Sequence, residues 1–401
     1  MTTIDHPVFP GARAAKCPFD PPPAIQSLQE QAPLVRVLLP DGTTPWLVTR
    51  YADQKALLSD PRVSSDVTRP GYPSQVPVGE ASGAPISFIL MDDPEHARLR
   101  RMVTAPFMIK RVEAMRPGVQ KIVDDLIDEM LAGPNPVDLV TAFALPVPSL
   151  VICQLLGVPY ADHDFFQENS KVLINRDATG EERFAAGGRL FQYLDELIGA
   201  KIENPGEDLL SGLVERINNG ELTRQDAAQM GVLMLIAGHE TTANMIALGT
   251  LALLEHPSQL ELLRAADDPR LVASAVEELL RYLNITHNGR RRAALADIEI
   301  AGTVIRAGEG IIMPTDIGNR DPEAFPDPDR LDLTRAARHH TAFGFGVHQC
   351  LGQPLARMEL QVVYSTLYRR VPTLKLATPI DKIPFKHDGS VYGVYELPVT
   401  W

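Results

Sequence analysis

The run FGFGVHQCLG, residues 343–352, carries one lone sulfur, Cys350, from a glycine-hinged loop to the threshold of a helix. Gly344, Gly346 and Gly352 have no Cβ, so the backbone there can turn sharply and approach a large flat ligand closely. The following stretch, LGQPLARMELQVVYSTLYRR, places Leu355, Met358, Leu360, Val362, Val363 and Leu367 at helical spacing, which sets Cys350 at a helix N-terminus. Unpaired backbone N–H groups at that end favour a negatively charged sulfur. The setting points to a metal-bound thiolate.

A free cysteine is most often a small buried hydrophobe. Here glycine, histidine and glutamine flank it in place of a periodic apolar face. A nucleophile paired with His348 needs two loop residues at i and i−2 to converge, which an ordinary turn does not bring about. A zinc site needs four ligands, whereas Cys17, Cys153 and Cys350 stand singly and no CxxC occurs. The CxxCH pattern of covalently attached haem is missing as well.

The 401 residues are enough for a large core, and 45% hydrophobic with 22% charged residues is ordinary for a globular protein. Lys and Arg number 38 against 51 Asp and Glu, and the net charge of −13 argues against a nucleic-acid binder or a general anionic-membrane binder. The opening MTTIDHPVFPGARAAKCPFDPPP shows neither the basic nor the apolar region of a signal peptide, so a cytoplasmic, non-membrane protein is expected. Three widely spaced cysteines fit a reducing compartment.

Residues 34–50, LVRVLLPDGTTPWLVTR, predict two strands around a Pro40-Asp41-Gly42 turn. The Pro/Gly-rich segment 68–90 has no helical period and is expected to be a substrate-access or lid loop. From 94 to about 255 most segments are helical in period, and short strands return in 296–314 and in the closing KHDGSVYGVYELPVTW. The expected fold is therefore mainly α with small β-sheets from both ends of the chain, in one intertwined domain spanning 1–401.

From Thr223 to Glu255 the sequence predicts one long helix, opened by a cap-like Thr223/Asp226 pair and stopped before Pro257. It is apolar nearly all round, except for His239-Glu240-Thr241-Thr242 at its middle. An acid there is costly in lipid, which disfavours a transmembrane span. In a protein core it is costly too unless a ligand or water lies beside it. A satisfied buried polar cluster is one reading and a groove is the other, with Gly238 removing bulk, Thr241 bonding back to a carbonyl, and Glu240 and Thr241 forming a minimal proton relay. Further on, AVEELLRY puts Glu278 and Arg281 three apart on a helix, by default a solvated surface pair. Arg290, Arg291 and Arg292 form an expensive cationic run, and His96 and Arg100 share a helical face. With His348 these faces suit a dianion.

Taken together, AGHETT on a long core helix, EELLR after it and FGFGVHQCLG near the C-terminus resemble the cytochrome P450 superfamily of haem-thiolate monooxygenases over essentially the whole chain. The stretches NRDPEAFPDPDRLDLTR and HTAFGFGVHQCLGQPLAR are most similar to the class I actinobacterial hydroxylases of xenobiotics and secondary metabolites. The resemblance implies the α-rich triangular fold of that family, with haem b (iron protoporphyrin IX) between a long central helix and the cysteine-loop helix. It makes Cys350 the metal ligand, and Glu240 and Thr241 the catalytic acid–alcohol pair that guides protons to dioxygen. Ala237 and Gly238 form the oxygen groove, while His96, Arg100, Arg292 and His348 bind the haem propionates. Phe343 packs near the thiolate, and Gly352 counts with it among the cofactor-binding residues. Glu278, Arg281 and Arg330 are a structural ion-pair network.

The implied reaction is two-electron activation of O2 and insertion of one oxygen atom into a C–H bond, with electrons from a ferredoxin and its reductase. Arg98, Arg101, Lys110 and Arg111 would dock that donor. A peroxide-driven peroxygenase and a non-catalytic haem-thiolate sensor are the alternatives. The substrate is expected to be a hydrophobic small molecule in contact with the 68–90 loop, Leu233, Ala237, Ile285 through Asn288, and Val391, Tyr392 and Val394. A monomer is expected.

Overall fold

The computed structural model describes residues 6–14, 17–74, 87–286 and 288–401. Among these, ten strands follow one another as β1 (Leu34–Arg36), β2 (Trp46–Val48), β3 (Val63–Ser64), β4 (Val137–Asp138), β5 (Arg290–Ala294), β6 (Ile298–Ile300), β7 (Thr303–Ile305), β8 (Gly310–Met313), β9 (Lys375–Leu376) and β10 (Pro398–Thr400). The chain forms two compact units, each assembled from two separate stretches of sequence.

The first unit, Met1–His96 with Glu277–Cys350, holds the larger sheet in the order β1-β2-β8-β5-β3. The expected hairpin is present, with β1 antiparallel to β2 and Gly42 at φ 82 in its turn, a conformation that favours glycine. β2 then runs parallel to β8, which draws residues near 46 and 311 into one sheet. Alternation of side chains buries Leu34, Val48, Ile311 and Met313 with Leu57 and Leu58 on one side, and Val37, Leu47 and Ile312 with Ile25 and Ile317 on the other. β6 and β7 form a separate hairpin, turned by Ala301 and Gly302 at positive φ.

The second unit, Ala97–Val276 with Leu351–Trp401, is mainly helical and carries the small sheet β4-β10-β9. Its centre is the Arg224–Glu255 helix, capped by reciprocal Thr223 and Asp226 bonds and ended at His256 before Pro257, as its sequence predicts. The helix Gln353–Arg370 docks on it at Gly249, where a Cβ would come within 1.9 Å of the Tyr364 hydroxyl. That gap lets Tyr364 donate to the Met245 carbonyl at 2.5 Å, tying the helix behind Cys350 to the long helix. The chain's last segment is less regular than expected, with β10 and the isolated bridges Asn175↔Gly389 and Phe385↔Val394 in place of several strands. No helix among the described residues is long and apolar enough to cross a membrane.

Candidate active site

In the first unit, Gly344 and Gly346 both adopt φ 74. Gly346 passes so close to the Leu58 carbonyl that a Cβ would sit 2.2 Å from its oxygen. Gly352 is different, since its φ of −77 is open to any residue and its place is the N-cap of Gln353–Arg370. Phe345 anchors the loop by packing against the sheet core, with the Lys55 ammonium 4.6 Å from its ring centroid. The Cys350 N–H donates to the Phe343 carbonyl at 2.8 Å, folding the loop back so that the thiol is exposed two residues before the helix cap. Phe343 lies 5.9 Å from the His340 ring, and the His340 Nε2 is 3.0 Å from the Glu277 carboxylate.

The same unit holds three of the predicted anion-binding residues, His96, Arg292 and His348, while Arg100 belongs to the second. The His96 and His348 rings lie 4.0 Å apart between centroids, and Phe88 flanks His96 at 6.3 Å. His96 is 1% exposed, with Nδ1 3.0 Å from the Asp93 carboxylate and Nε2 without a hydrogen-bond partner among the described residues. A buried ring nitrogen left in that state is costly, and an anionic oxygen beside it removes the cost. Strand alternation sorts the three arginines of β5. Arg291 is buried and donates to the Pro73 and Ser74 carbonyls at 2.8 and 2.9 Å, whereas Arg290 and Arg292 share the opposite face.

Arg290, which sequence reasoning did not single out, donates to the Ala342 carbonyl of the cysteine loop at 3.2 Å. Burial pushes its guanidinium down to about 10, the Arg292 charge adds to that, and the Cys350 thiolate opposes it. Burial likewise lowers Arg292, against the pull of Tyr72 and Asp92. The signal for Arg290 was available, because residues two apart on a strand face the same way. Arg100 lies one turn after His96 on the Glu95–Thr104 helix and is partly buried. A single thiolate, an orphaned buried imidazole nitrogen and two arginines on one strand face fit an iron porphyrin with its two carboxylates.

In the second unit, the Arg224–Glu255 helix is buried over most of its length, yet Ala237 is exposed, and Leu233 and Thr241, one turn either side, are partly exposed. This is one open stripe on a core helix. The Thr241 hydroxyl donates to the Ala237 carbonyl at 2.7 Å, the back-bond expected from its sequence position. Gly238 requires a correction: a Cβ there would come within 2.5 Å of Ile152. Its missing side chain admits the Pro146–Leu156 helix, and the open stripe is made by Ala237 and Thr241.

Glu240 is 2% exposed, with Oε2 3.8 Å from the Lys386 Nζ and 3.5 Å from the Asn244 amide nitrogen. His239 holds its Nδ1 2.7 Å from the Leu235 carbonyl oxygen and its Nε2 3.8 Å from Glu240 Oε1, and burial lowers its pKa against the pull of the Glu240 charge. Burial lowers Lys386 as well, and the Glu240 charge opposes that shift.

Glu278 and Arg281 do not form a solvated pair. Both side chains are 0% exposed, joined by two bonds of 2.7 and 2.8 Å. Arg281 also donates to the Asn319 and Pro328 carbonyls, each at 2.8 Å. The third charged member is Arg335, whose Nε donates to Glu278 at 3.1 Å, and the Asp332 N–H adds a bond of 3.0 Å. This corrects the role expected of Arg330, whose side chain is exposed. Its carbonyl accepts from Arg281 and Arg335, because the turn at Asp327, φ 52, aims the backbone oxygens of the loop inward.

Of the expected substrate contacts, Leu233, Ala237, Ile285 and Val391 keep exposed surface. Tyr392 and Val394 are each 1% exposed, since Tyr392 stacks on Phe385 and Val394 bridges to the same residue. Their side chains are therefore packed inside the second unit and offer no contact surface. Residues 75–86 of the expected 68–90 loop, and His287, lie outside the described residues. The described start of that loop is pinned where Gly71 crosses Gly308.

Residues 71–373 match the cytochrome P450 family, and the chain belongs to it. It is a cytochrome P450 monooxygenase, and its mainly α fold with small sheets is the fold of that family. Among its relatives, cytochrome P450 GfsF of Streptomyces halstedii is 58% identical, covering 99% of this chain and 97% of that one. The crystal structure of GfsF superposes with a TM-score of 0.93 over 98% of this chain and all of that one, at 57% identity. The 20-oxo-5-O-mycaminosyltylactone 23-monooxygenase of Streptomyces fradiae is 42% identical, covering 97% of this chain and 91% of that one. The structure of CYP105P1 in complex with filipin I has a TM-score of 0.93 at 42% identity, covering 99% of both chains. Family membership implies a haem cofactor.

Proposed function

We propose that the chain is a haem b monooxygenase that hydroxylates a C–H bond of a hydrophobic small molecule, a secondary metabolite or a xenobiotic. One observation supports this most: the open Ala237–Thr241 stripe on an otherwise buried helix, with a hydroxyl and a buried acid at its edge. Haem, when bound, supplies dioxygen activation and oxygen transfer. One oxygen atom enters the product and the other leaves as water, consuming two electrons and two protons. Cys350 would hold the iron as its thiolate, favoured by the helix N-terminus behind it and by the Arg290 charge. His96, His348 and Arg292, with Arg100, would hold the propionates. Thr241 Oγ1, anchored on the Ala237 carbonyl, would present a proton, and Glu240 would resupply it. In this reading residues 1–401 act as one catalytic domain and the 68–90 segment as its access loop.

The apolar surface of Leu233, Ala237, Ile285 and Val391 supports a hydrophobic substrate. So do relatives named for an elaborated lactone and for a filipin I complex. Electrons would come from a ferredoxin and its reductase. Exposed Arg101, Lys110 and Arg111 beside Met108 and Ile109, 59% and 70% exposed, suit an acidic partner.

The ferrous–carbon monoxide spectrum tests the ligand, and a red-shifted Soret band is expected. An unshifted band in native protein would exclude Cys350 thiolate ligation. Replacing Thr241 by Ala should preserve haem and the substrate-induced spin shift while lowering product per NAD(P)H about tenfold or more. Unchanged coupling would remove Thr241 from the reaction. A spin-state titration against a compound library identifies the substrate.

A further inference from the structure

The mechanism leaves Glu240 as a proton carrier sealed from water, with 2% of its surface exposed. A buried acid that gives up a proton each turnover needs a route for replacing it. Asn244 beside it is neutral, and His239, whose Nε2 is 3.8 Å from Oε1, is fully buried with its Nδ1 held at the Leu235 carbonyl, so it offers no way out to water. Of the two ionisable side chains near the Glu240 carboxylate among the described residues, the one that keeps exposed surface is Lys386, 3.8 Å from Oε2 and itself 14% exposed.

Lys386 comes from a distant segment that is firmly placed. Its N–H donates to the Gly393 carbonyl at 2.9 Å, next to the Phe385↔Val394 bridge. Gly393 in turn abuts the long helix at Asn244, where a Cβ would lie 1.7 Å from the amide oxygen. Outward of the ammonium, the Tyr395 ring centroid is 5.6 Å away, its hydroxyl donates to Asp388 at 2.5 Å, and 46% of that tyrosine is exposed. Lys171 and Asp388 are the other charges acting on Lys386.

We infer that Lys386 is a positioning residue for proton delivery, holding the Glu240 carboxylate at the solvent end of the relay and linking it to water. The inference rests on the reading of Glu240 and Thr241 given above. The contact is longer than a hydrogen bond, so it orients the carboxylate without clamping it. Turning about its own side-chain bonds, Glu240 takes a proton on the Lys386 side and returns it on the Thr241 side, and Lys386 draws the carboxylate back. The net transfer is one proton from water to Thr241, with no bond to carbon made or broken.

The test uses the holoenzyme with the compound chosen by the spin-state screen, comparing Lys386→Met, Lys386→Gln, Lys386→Arg and Thr241→Ala. Lys386→Met and Lys386→Gln should keep the red-shifted carbon monoxide band and the spin shift. They should lose about tenfold in coupled turnover, raise the hydrogen peroxide yield and enlarge the D2O isotope effect on kcat, with Lys386→Arg close to wild type. Normal coupling and isotope effect in both neutral variants, while Thr241→Ala uncouples, would overturn the inference. So would equal losses in Lys386→Arg and Lys386→Met, which would make the side chain a packing element. Coupling intact in Thr241→Ala would overturn the relay reading itself.

Discussion

Glu278 in the first unit and Glu240 in the second are both nearly inaccessible, at 0% and 2% exposure, but their surroundings differ. Glu278 receives two bonds from Arg281, one from Arg335 and one from the Asp332 backbone. Glu240 has one ammonium and one imidazole nitrogen, each at 3.8 Å, and an amide at 3.5 Å. A carboxylate with its lone pairs filled by short bonds cannot move without breaking several at once, whereas a loosely attended one moves at little cost. The first arrangement suits a structural anchor, and the second suits a group that must exchange a proton. Glu359, in the second unit, is a third case. It is buried with Oε2 unpartnered among the described residues, and desolvation raises it to about 8.

The sharpest way to break this comparison is to remove each partner and measure unfolding. Replacing Glu278 by Ala strands a buried guanidinium and should cost about 3–5 kcal/mol, while Lys386→Met should cost about 1–2 kcal/mol, both read from urea midpoints of the holoprotein. Equal costs would erase the distinction between anchor and carrier.

Glu359 should show the reverse sign. Its native pKa lies above the unfolded value, so the native state keeps a proton that the unfolded state releases. Stability is undiminished below the ordinary glutamate range, falls as pH rises toward about 8, and levels off above it. Glu359→Gln should therefore gain about 2–4 kcal/mol over wild type between about pH 5 and the upper plateau, seen as a flatter pH profile of Tm. An identical profile would show that Glu359 is charged and paired.

The smallest effects separate Arg335, which reaches Glu278, from Arg330, which contributes only its carbonyl. Arg335→Ala should cost about 1–2 kcal/mol and Arg330→Ala no more than about 0.5 kcal/mol, because only the latter side chain faces water. The reverse order would return Arg330 to the network.

The features legible in advance share one property, which is that their partners are close in sequence. The cysteine loop, the Thr223/Asp226 cap, the 34–50 hairpin and the Thr241 back-bond each lie within a few residues, where spacing and turn chemistry decide geometry. Glu278 and Arg281 could be paired from their spacing, but their burial could not, since the same i,i+3 pattern serves a wet surface equally well.

By itself, the sequence determined the thiolate loop, the long helix with its polar centre, and the family that the two define. Tertiary structure decided which β5 arginines share a face with Arg292, that Arg335 reaches Glu278, that Gly238 admits a neighbouring helix, and that Lys386 meets Glu240. The physical reason is that local conformation follows from steric and hydrogen-bond rules over a few residues. The neighbour of a buried charge is chosen by how distant segments pack, and many packings satisfy the same local rules.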